Sequence, residues 1–261
     1  MILEDFHIHS SFCDGKDKPE DIVLSAIAKG MKKIGILTHS YTSFDEDYCI
    51  RKDEIPAFIA EINHLKEKYK SQIGILCGVE QDIYSECSTE GFDYVIGSQH
   101  YIKHNGSYFP IDNSEKMFMR MVREVFDGDF YEMAKTYFQI EKEVVSRTGA
   151  DIIGHFDLIT KFNENDKLFD TKNEKYTSYW KDAADYLTQF GVPFEINTGA
   201  ISRGYRTLPY PQTEIISYIQ QNGGKLILSS DSHAKETIGF RFDDFEHLLN
   251  IDCEAGKPIP V

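Results

Sequence analysis

His7 and His9, one residue apart in "EDFHIHSSFCDG", can offer both imidazoles to one metal ion, because residues i and i+2 of an extended strand share a face. The same spacing returns near the other end of the chain, with Asp231 and His233 in "SSDSH". His39, His100 and His155 likewise stand at or just after the end of a short apolar run, as do Glu80 in "GVEQD" and Glu195 in "FEIN". Imidazole nitrogen with carboxylate oxygen is a donor set for Zn, Mn or Fe. Each short motif alone reads equally well as a polar strand end. Their joint placement carries the inference, since only His64, His104 and His247 fall elsewhere, in "INHLKEK", the loop "KHNG" and the helix "FEHLLN".

The elements that must position these residues follow from periodicity. Seven short apolar runs, at 1–7, 32–39, 73–82, 92–100, 150–157, 192–198 and 225–233, are rich in Ile, Val, Leu and Phe, as strands buried on both faces of a parallel sheet are. Between them lie segments with helical period. "DKPEDIVLSAIAKG" has Pro19 at its start and Gly30 at its stop; "DEIPAFIAEINHLKEKYK", "YWKDAADYLTQFG" and "PQTEIISYIQQNGG" are similar. Residues 114–148 read as two helices broken near "FDGDF". Strand and helix alternating in this way predict one α/β domain over residues 1–261 with a parallel sheet. Were that sheet a closed barrel, the C-terminal strand ends would converge on one face, where such barrels carry their active sites.

Composition narrows the class of function. A chain of 261 residues fits one α/β barrel of about 200–250 residues plus short extensions. With 28 Lys and Arg against 43 Asp and Glu, the net charge of -15 repels nucleic acid and anionic lipid alike, so neither is expected as a partner. The five cysteines, Cys13, Cys49, Cys77, Cys87 and Cys253, form no CxxC pair, which argues against a disulfide framework or a thiolate zinc site and for a reducing compartment. No charged start followed by an apolar signal stretch is evident, and no apolar run approaches the ~18 residues that span a bilayer. The expected location is cytoplasmic.

Taken in order, "DFHIHSSFCDG", "ILTHS", "GVEQD", "IGSQHY", "IGHFD", "EINTGA" and "SSDSH" resemble the motifs of the PHP family, the polymerase and histidinol phosphatase family, from residue 5 to residue 233. Within it, "GHFDLITKF" and "EINTGA" are most similar to the stand-alone histidinol-phosphate phosphatases of histidine biosynthesis. The resemblance implies a distorted (β/α)7 barrel related to the TIM-barrel metal-dependent hydrolases, with three divalent ions, Zn, Mn, Fe or a mixture. By the family pattern His7, His9, Glu80 and Asp231 hold one ion, and Glu80 bridges to a second held by His100 and His155. Asp14, His39 and His233 hold the third, Asp14 standing where many relatives carry histidine.

The implied reaction is hydrolysis of L-histidinol phosphate, a small phosphate monoester, by metal-activated hydroxide, with Glu80, Asp231 and His233 as the catalytic group. Arg203 and Arg206 in "SRGYRT" and Lys161 in "DLITKF" are the candidate phosphate-binding cations. In "IDNSEKMF", Glu115 is the candidate partner for the substrate amine and Phe118 an aromatic face for its imidazole. Two alternatives compete: a phosphoesterase or 3'-5' exonuclease with another substrate, and a metal-binding protein without activity.

Overall fold

The computed structural model of the chain describes residues 2–249. All seven apolar runs form strands: β1 (Glu4–His9), β2 (Lys33–His39), β3 (Gly74–Asp82), β4 (Tyr94–Ser98), β7 (Ile152–Ile153), β8 (Phe194–Asn197) and β9 (Leu226–Ser229). They build one parallel sheet in the order β1-β2-β3-β4-β7-β8-β9. The sheet curls until its edges meet. Ser232 just beyond β9 donates to His7 O (3.0 Å) and accepts from His9 N (2.8 Å), which nearly closes the barrel.

A tyrosine fills the barrel interior beneath the strand ends. Tyr94 is buried with Phe6, Leu37, Ile96 and Ile152, and its hydroxyl donates to Phe6 O at 2.5 Å. A Cβ at Gly35 or Gly78 would lie 2.1 or 2.3 Å from this ring, so β2 and β3 can pass the ring only where they carry glycine.

The helices cover the outside of the barrel. α1 (Pro19–Ala28) and α2 (Ile55–Tyr69) bury Ile22, Val23, Ala26, Phe58, Ile62 and Leu65 against the first strands, the spacing expected of helical stripes. α3 (Glu115–Val125) and α4 (Phe130–Glu141) are broken at Phe126–Asp129, near the predicted point. Asp129 caps α4 by accepting from Tyr131 N and Glu132 N. A further short helix, α5 (Val144–Thr148), follows, so the segment holds one more helix than the two predicted. α6 (Glu174–Thr188), α7 (Gly199–Ser202), α8 (Thr213–Gln221) and α9 (Phe242–Phe245) complete the set.

The apolar pattern did not announce β5 (Tyr101–His104) and β6 (Ser107–Pro110), an antiparallel hairpin after β4. His104 ends β5 and is no loop residue. The signal was present in Asn105-Gly106, both left-handed (φ 48° and 79°), the pair that a two-residue hairpin turn favours. Among the described residues no helix is long and apolar enough to cross a membrane. Cys13, Cys49, Cys77 and Cys87 are free thiols, and Cys253 lies outside the described residues.

α4 also buries an acid. Glu141 is 1% exposed, and neither carboxyl oxygen has a hydrogen-bond partner among the described residues. Burial, only partly opposed by His100, pushes its carboxyl well above the ordinary 4.5. Above pH 4.5 the unfolded chain ionises this group while the folded chain keeps the proton, so its contribution is complete below that pH and is lost as pH rises to the folded pKa. Glu141→Gln cannot ionise. It is expected to gain on the wild type as pH rises above 4.5, by at most about 1.4 kcal/mol per pH unit, until the folded pKa is reached. Denaturant titrations at pH 5, 6 and 7 check this; a stability difference independent of pH would refute it.

Candidate metal centre

Period-two geometry places His7 and His9 on the same side of β1, both buried, with their Nε2 atoms 3.1 Å apart. Glu80, near the end of β3, brings Oε2 to 3.3 Å from His7 Nε2 and 3.4 Å from His9 Nε2. Asp231 Oδ1 stands 3.7 and 3.6 Å from the same two nitrogens. Four ligand atoms from three strand ends thus converge. The other oxygen of Glu80 faces elsewhere: Oε1 lies 2.9 Å from His155 Nε2 and 3.2 Å from His100 Nε2.

A third set gathers around Asp14 in the loop after β1. Asp14 Oδ1 is 3.6 Å from His39 Nε2, and Oδ2 is 3.2 Å from His233 Nε2. His39 faces two sets at once, since its Nδ1 is 2.9 Å from Glu80 Oε2. His9 likewise reaches Asp14, at 3.8 Å through Nδ1. Every residue proposed from sequence as a metal ligand is therefore in one continuous cluster.

Outer partners aim the imidazoles. Glu195 Oε1 is 2.7 Å from His7 Nδ1, while its Oε2 accepts from His155 N and from Asn197 Nδ2. Asp82 Oδ2 accepts from His100 N and lies 3.2 Å from His100 Nδ1. Each carboxylate leaves the Nε2 of its histidine free to face the cluster, the usual outer arrangement of metal-bound histidine. Sequence reasoning placed Glu195 at a strand end without giving it a partner, and it passed over Asp82, although Asp82 is two residues from Glu80 on the same face of β3.

The electrostatics favour ionised acids. Burial pushes the Glu80 carboxyl upward, but His39, His7 and His100 outweigh it and hold the group well below the usual carboxylate range. Asp231 is likewise held low against burial, by Arg203, His7 and His233. Burial, joined by the neighbouring His233 and His39, drives the His9 imidazole down to about 3 and keeps it neutral. Glu80 Oε2 and His39 Nδ1 are buried and 2.9 Å apart, yet neither makes a hydrogen bond of good geometry with any described residue. Leaving such atoms unpaired is costly, and an ion bound to nitrogen and oxygen donors would satisfy them. The residues therefore fit divalent cations. Cys13 contributes no thiolate, since burial and then Asp14 push its thiol up to about 12.

Asp231 adopts a left-handed conformation (φ 47°), uncommon for a residue other than glycine. Arg203 holds it there, with its terminal nitrogens donating to Asp231 Oδ2 (2.9 Å) and to the Asp231 carbonyl (3.1 Å).

Above the cluster opens a cavity of about 1040 Å³, counting the solvent at its mouth. Arg203 and Lys161 line it; Lys161 Nζ donates to the Asp112 carbonyl at 2.8 Å and sits 4.8 Å from the Tyr205 ring centroid. Three other residues predicted to bind substrate are placed outside this lining. Arg206 is 7% exposed and donates to the carbonyl and hydroxyl of Thr160. Glu115 is exposed and accepts from Lys167 Nζ at 2.7 Å. Phe118 is fully buried in the core beside Phe130 and Phe162. The physical reason is helix register: Ser114 caps α3, which turns Glu115 to solvent and Phe118 inward, while Asp112 and Asn113 just before the cap reach the cavity.

Comparison with known proteins agrees with this architecture. Over 90% of this chain and 82% of the relative, the sequence is 28% identical to a probable histidinol-phosphatase of Schizosaccharomyces pombe. It is 24% identical to the histidinol-phosphatase of Bacillus subtilis over 94% of this chain and 98% of that one. The fold superposes on the crystal structure of HisK from Listeria monocytogenes with a TM-score of 0.81 (22% identity, 93% of this chain and 99% of that one). A Lactococcus lactis histidinol phosphate phosphatase crystallised with Zn, L-histidinol and phosphate gives 0.71 (22% identity, 94% and 92%). The sequence model of the PHP domain matches residues 5–199, which carry every member of the cluster up to His155 and the Glu195 that braces it, and the chain accordingly belongs to the PHP domain family.

Proposed function

We propose that this chain is a metal-dependent phosphomonoesterase that hydrolyses L-histidinol phosphate to L-histidinol and phosphate at a centre of three divalent ions. The observation that carries the reading is the division of Glu80, whose two oxygens face two different imidazole sets. The histidinol-phosphatase names of its relatives, and the L-histidinol and phosphate bound by the L. lactis protein, support the choice of substrate.

In this reading His7, His9, Glu80 and Asp231 would hold one ion, Glu80, His100 and His155 a second, and Asp14, His39 and His233 the third. Bound divalent ions lower the pKa of water and polarise phosphoryl oxygens, which supplies a nucleophile at neutral pH. The side chains do the rest. Glu195 and Asp82 fix the rings of His7 and His100 before substrate arrives, so no reorganisation is needed during the reaction. Arg203 and Lys161 line the cavity and offer guanidinium and ammonium N–H groups to the phosphoryl oxygens. Asp231 and His233 both serve as ligands, with Asp231 kept ionised by Arg203 and its histidine neighbours.

Phosphate release from histidinol phosphate, sugar phosphates, phosphotyrosine and single-stranded oligonucleotides, with metal content measured on the same sample, tests this. Histidinol phosphate is expected to be turned over fastest. A metal-replete protein that releases no phosphate from it, or that cleaves oligonucleotides at a matching rate, would sink the reading.

A further inference from the structure

The cavity is lined by two cations, Arg203 and Lys161, and by two acids, Asp45 and Asp47, from the loop between β2 and α2. The remaining acids at this mouth are neutralised: Asp14 faces His39 and His233, Asp231 is paired with Arg203, and Asp112 with Lys161. Among the described residues neither Asp45 nor Asp47 has a cationic partner.

Asp45 is nevertheless held in place. Its Oδ2 accepts from the Tyr101 hydroxyl at 2.8 Å, a neutral donor that fixes the carboxylate and leaves its charge intact. The loop behind it is bolted to the hairpin of β5 and β6, with Phe44 stacked on Tyr108 at 3.6 Å and 1° and edge-on to Tyr101 at 5.0 Å. Tyr48, which also lines the cavity, stands edge-on to His39 at 4.8 Å. An ordered carboxylate, a second acid and an aromatic face make a wall that attracts an organic cation.

We propose that Asp45, positioned by Tyr101 and assisted by Asp47, binds the cationic end of the substrate while Arg203 and Lys161 face its phosphate. The wall thereby selects dipolar phosphate esters, those with a phosphoryl group at one end and an ammonium or imidazolium group at the other, over neutral esters. This rests on the phosphomonoesterase reading above, and it replaces Glu115 and Phe118 as the source of selectivity.

Two measurements separate the inference from that reading. The first is the kcat/KM ratio of the metal-loaded enzyme for O-phosphoethanolamine against n-propyl phosphate, which differ by an ammonium in place of a methyl group. The wild type is expected to favour the cationic ester by about tenfold or more, the discrimination a hydrogen-bonded charge contact supplies. D45N/D47N is expected to bring the ratio near unity and Y101F to an intermediate value. The second is calorimetric binding of L-histidinol, which needs no catalysis and is expected to weaken by about tenfold in D45N/D47N. A wild type that hydrolyses neither ester nor histidinol phosphate refutes the phosphatase reading, and calorimetry still decides the role of the wall. A cationic preference or an L-histidinol affinity that survives D45N/D47N overturns the inference.

Discussion

Glutamine in place of Glu80 is expected to empty two ion sites together and to reduce phosphate release by more than the roughly 10–100-fold that loss of an outer partner costs. The substitution preserves shape and removes charge. Both carboxylate oxygens are in use, Oε2 toward His7, His9 and His39 and Oε1 toward His100 and His155. An amide keeps one acceptor oxygen and turns an NH2 donor toward the other set, where a bound cation would need an anionic oxygen. Burial would then act on His39 and His100 without the Glu80 carboxylate, the largest of the charges that oppose it. Metal content by elemental analysis should fall in parallel with kcat, and Glu80→Asp, which keeps the charge but shortens the reach, should fall between. Full metal content and full activity in Glu80→Gln would remove Glu80 from its bridging position.

Most of the cluster was legible in the sequence because its histidines and Asp231 rest on a local rule, while Asp14 entered only through the family resemblance. His7 and His9 share a face through strand alternation, and His39, His100, His155 and Asp231 sit where a parallel strand ends, so strand detection alone gathers them at one rim. What escaped depends on long-range contact or on one-residue register. Glu195 gains meaning only when β8 lies across the barrel from His7, 188 residues away in sequence. Arg206 turns to Thr160, a partner that chain order does not suggest. Glu115 and Phe118 were assigned to the substrate although the helix start at 114 was read correctly, because sequence does not show which face of α3 meets the cavity; one turn carries them to opposite environments. Asp45 and Asp47 carry no local signal in the sequence; their placement depends on the Asn105-Gly106 hairpin, whose tyrosines hold their loop.

Removing divalent ions with a chelator is expected to abolish phosphate release and to lower the melting temperature by roughly ten degrees, both reversibly. The thermal effect follows from linkage. An ion present at a thousand times its Kd stabilises the folded chain by about 4 kcal/mol, and each kcal/mol moves Tm by about 2–4 °C in a chain of this size. The cluster has reason to respond this strongly: Glu80, Asp231 and Asp14 are held ionised inside a crowd of imidazoles, and Glu80 Oε2 and His39 Nδ1 lack other partners. Since the barrel rim carries the candidate ligands from β1, β2, β3 and the segments after β4, β7 and β9, an ion there would tie together strands that close on each other through the contacts of Ser232 and Ser230 with β1. Adding back Zn, Mn or Fe separately should restore the melting temperature with each ion that binds, and activity only with those that support the chemistry. Separate recovery of the two would show that the same ligands serve stability and catalysis by different criteria. A stripped protein, verified free of metal, that keeps its activity and its Tm would instead leave the cluster as a buried network of ion pairs without ions.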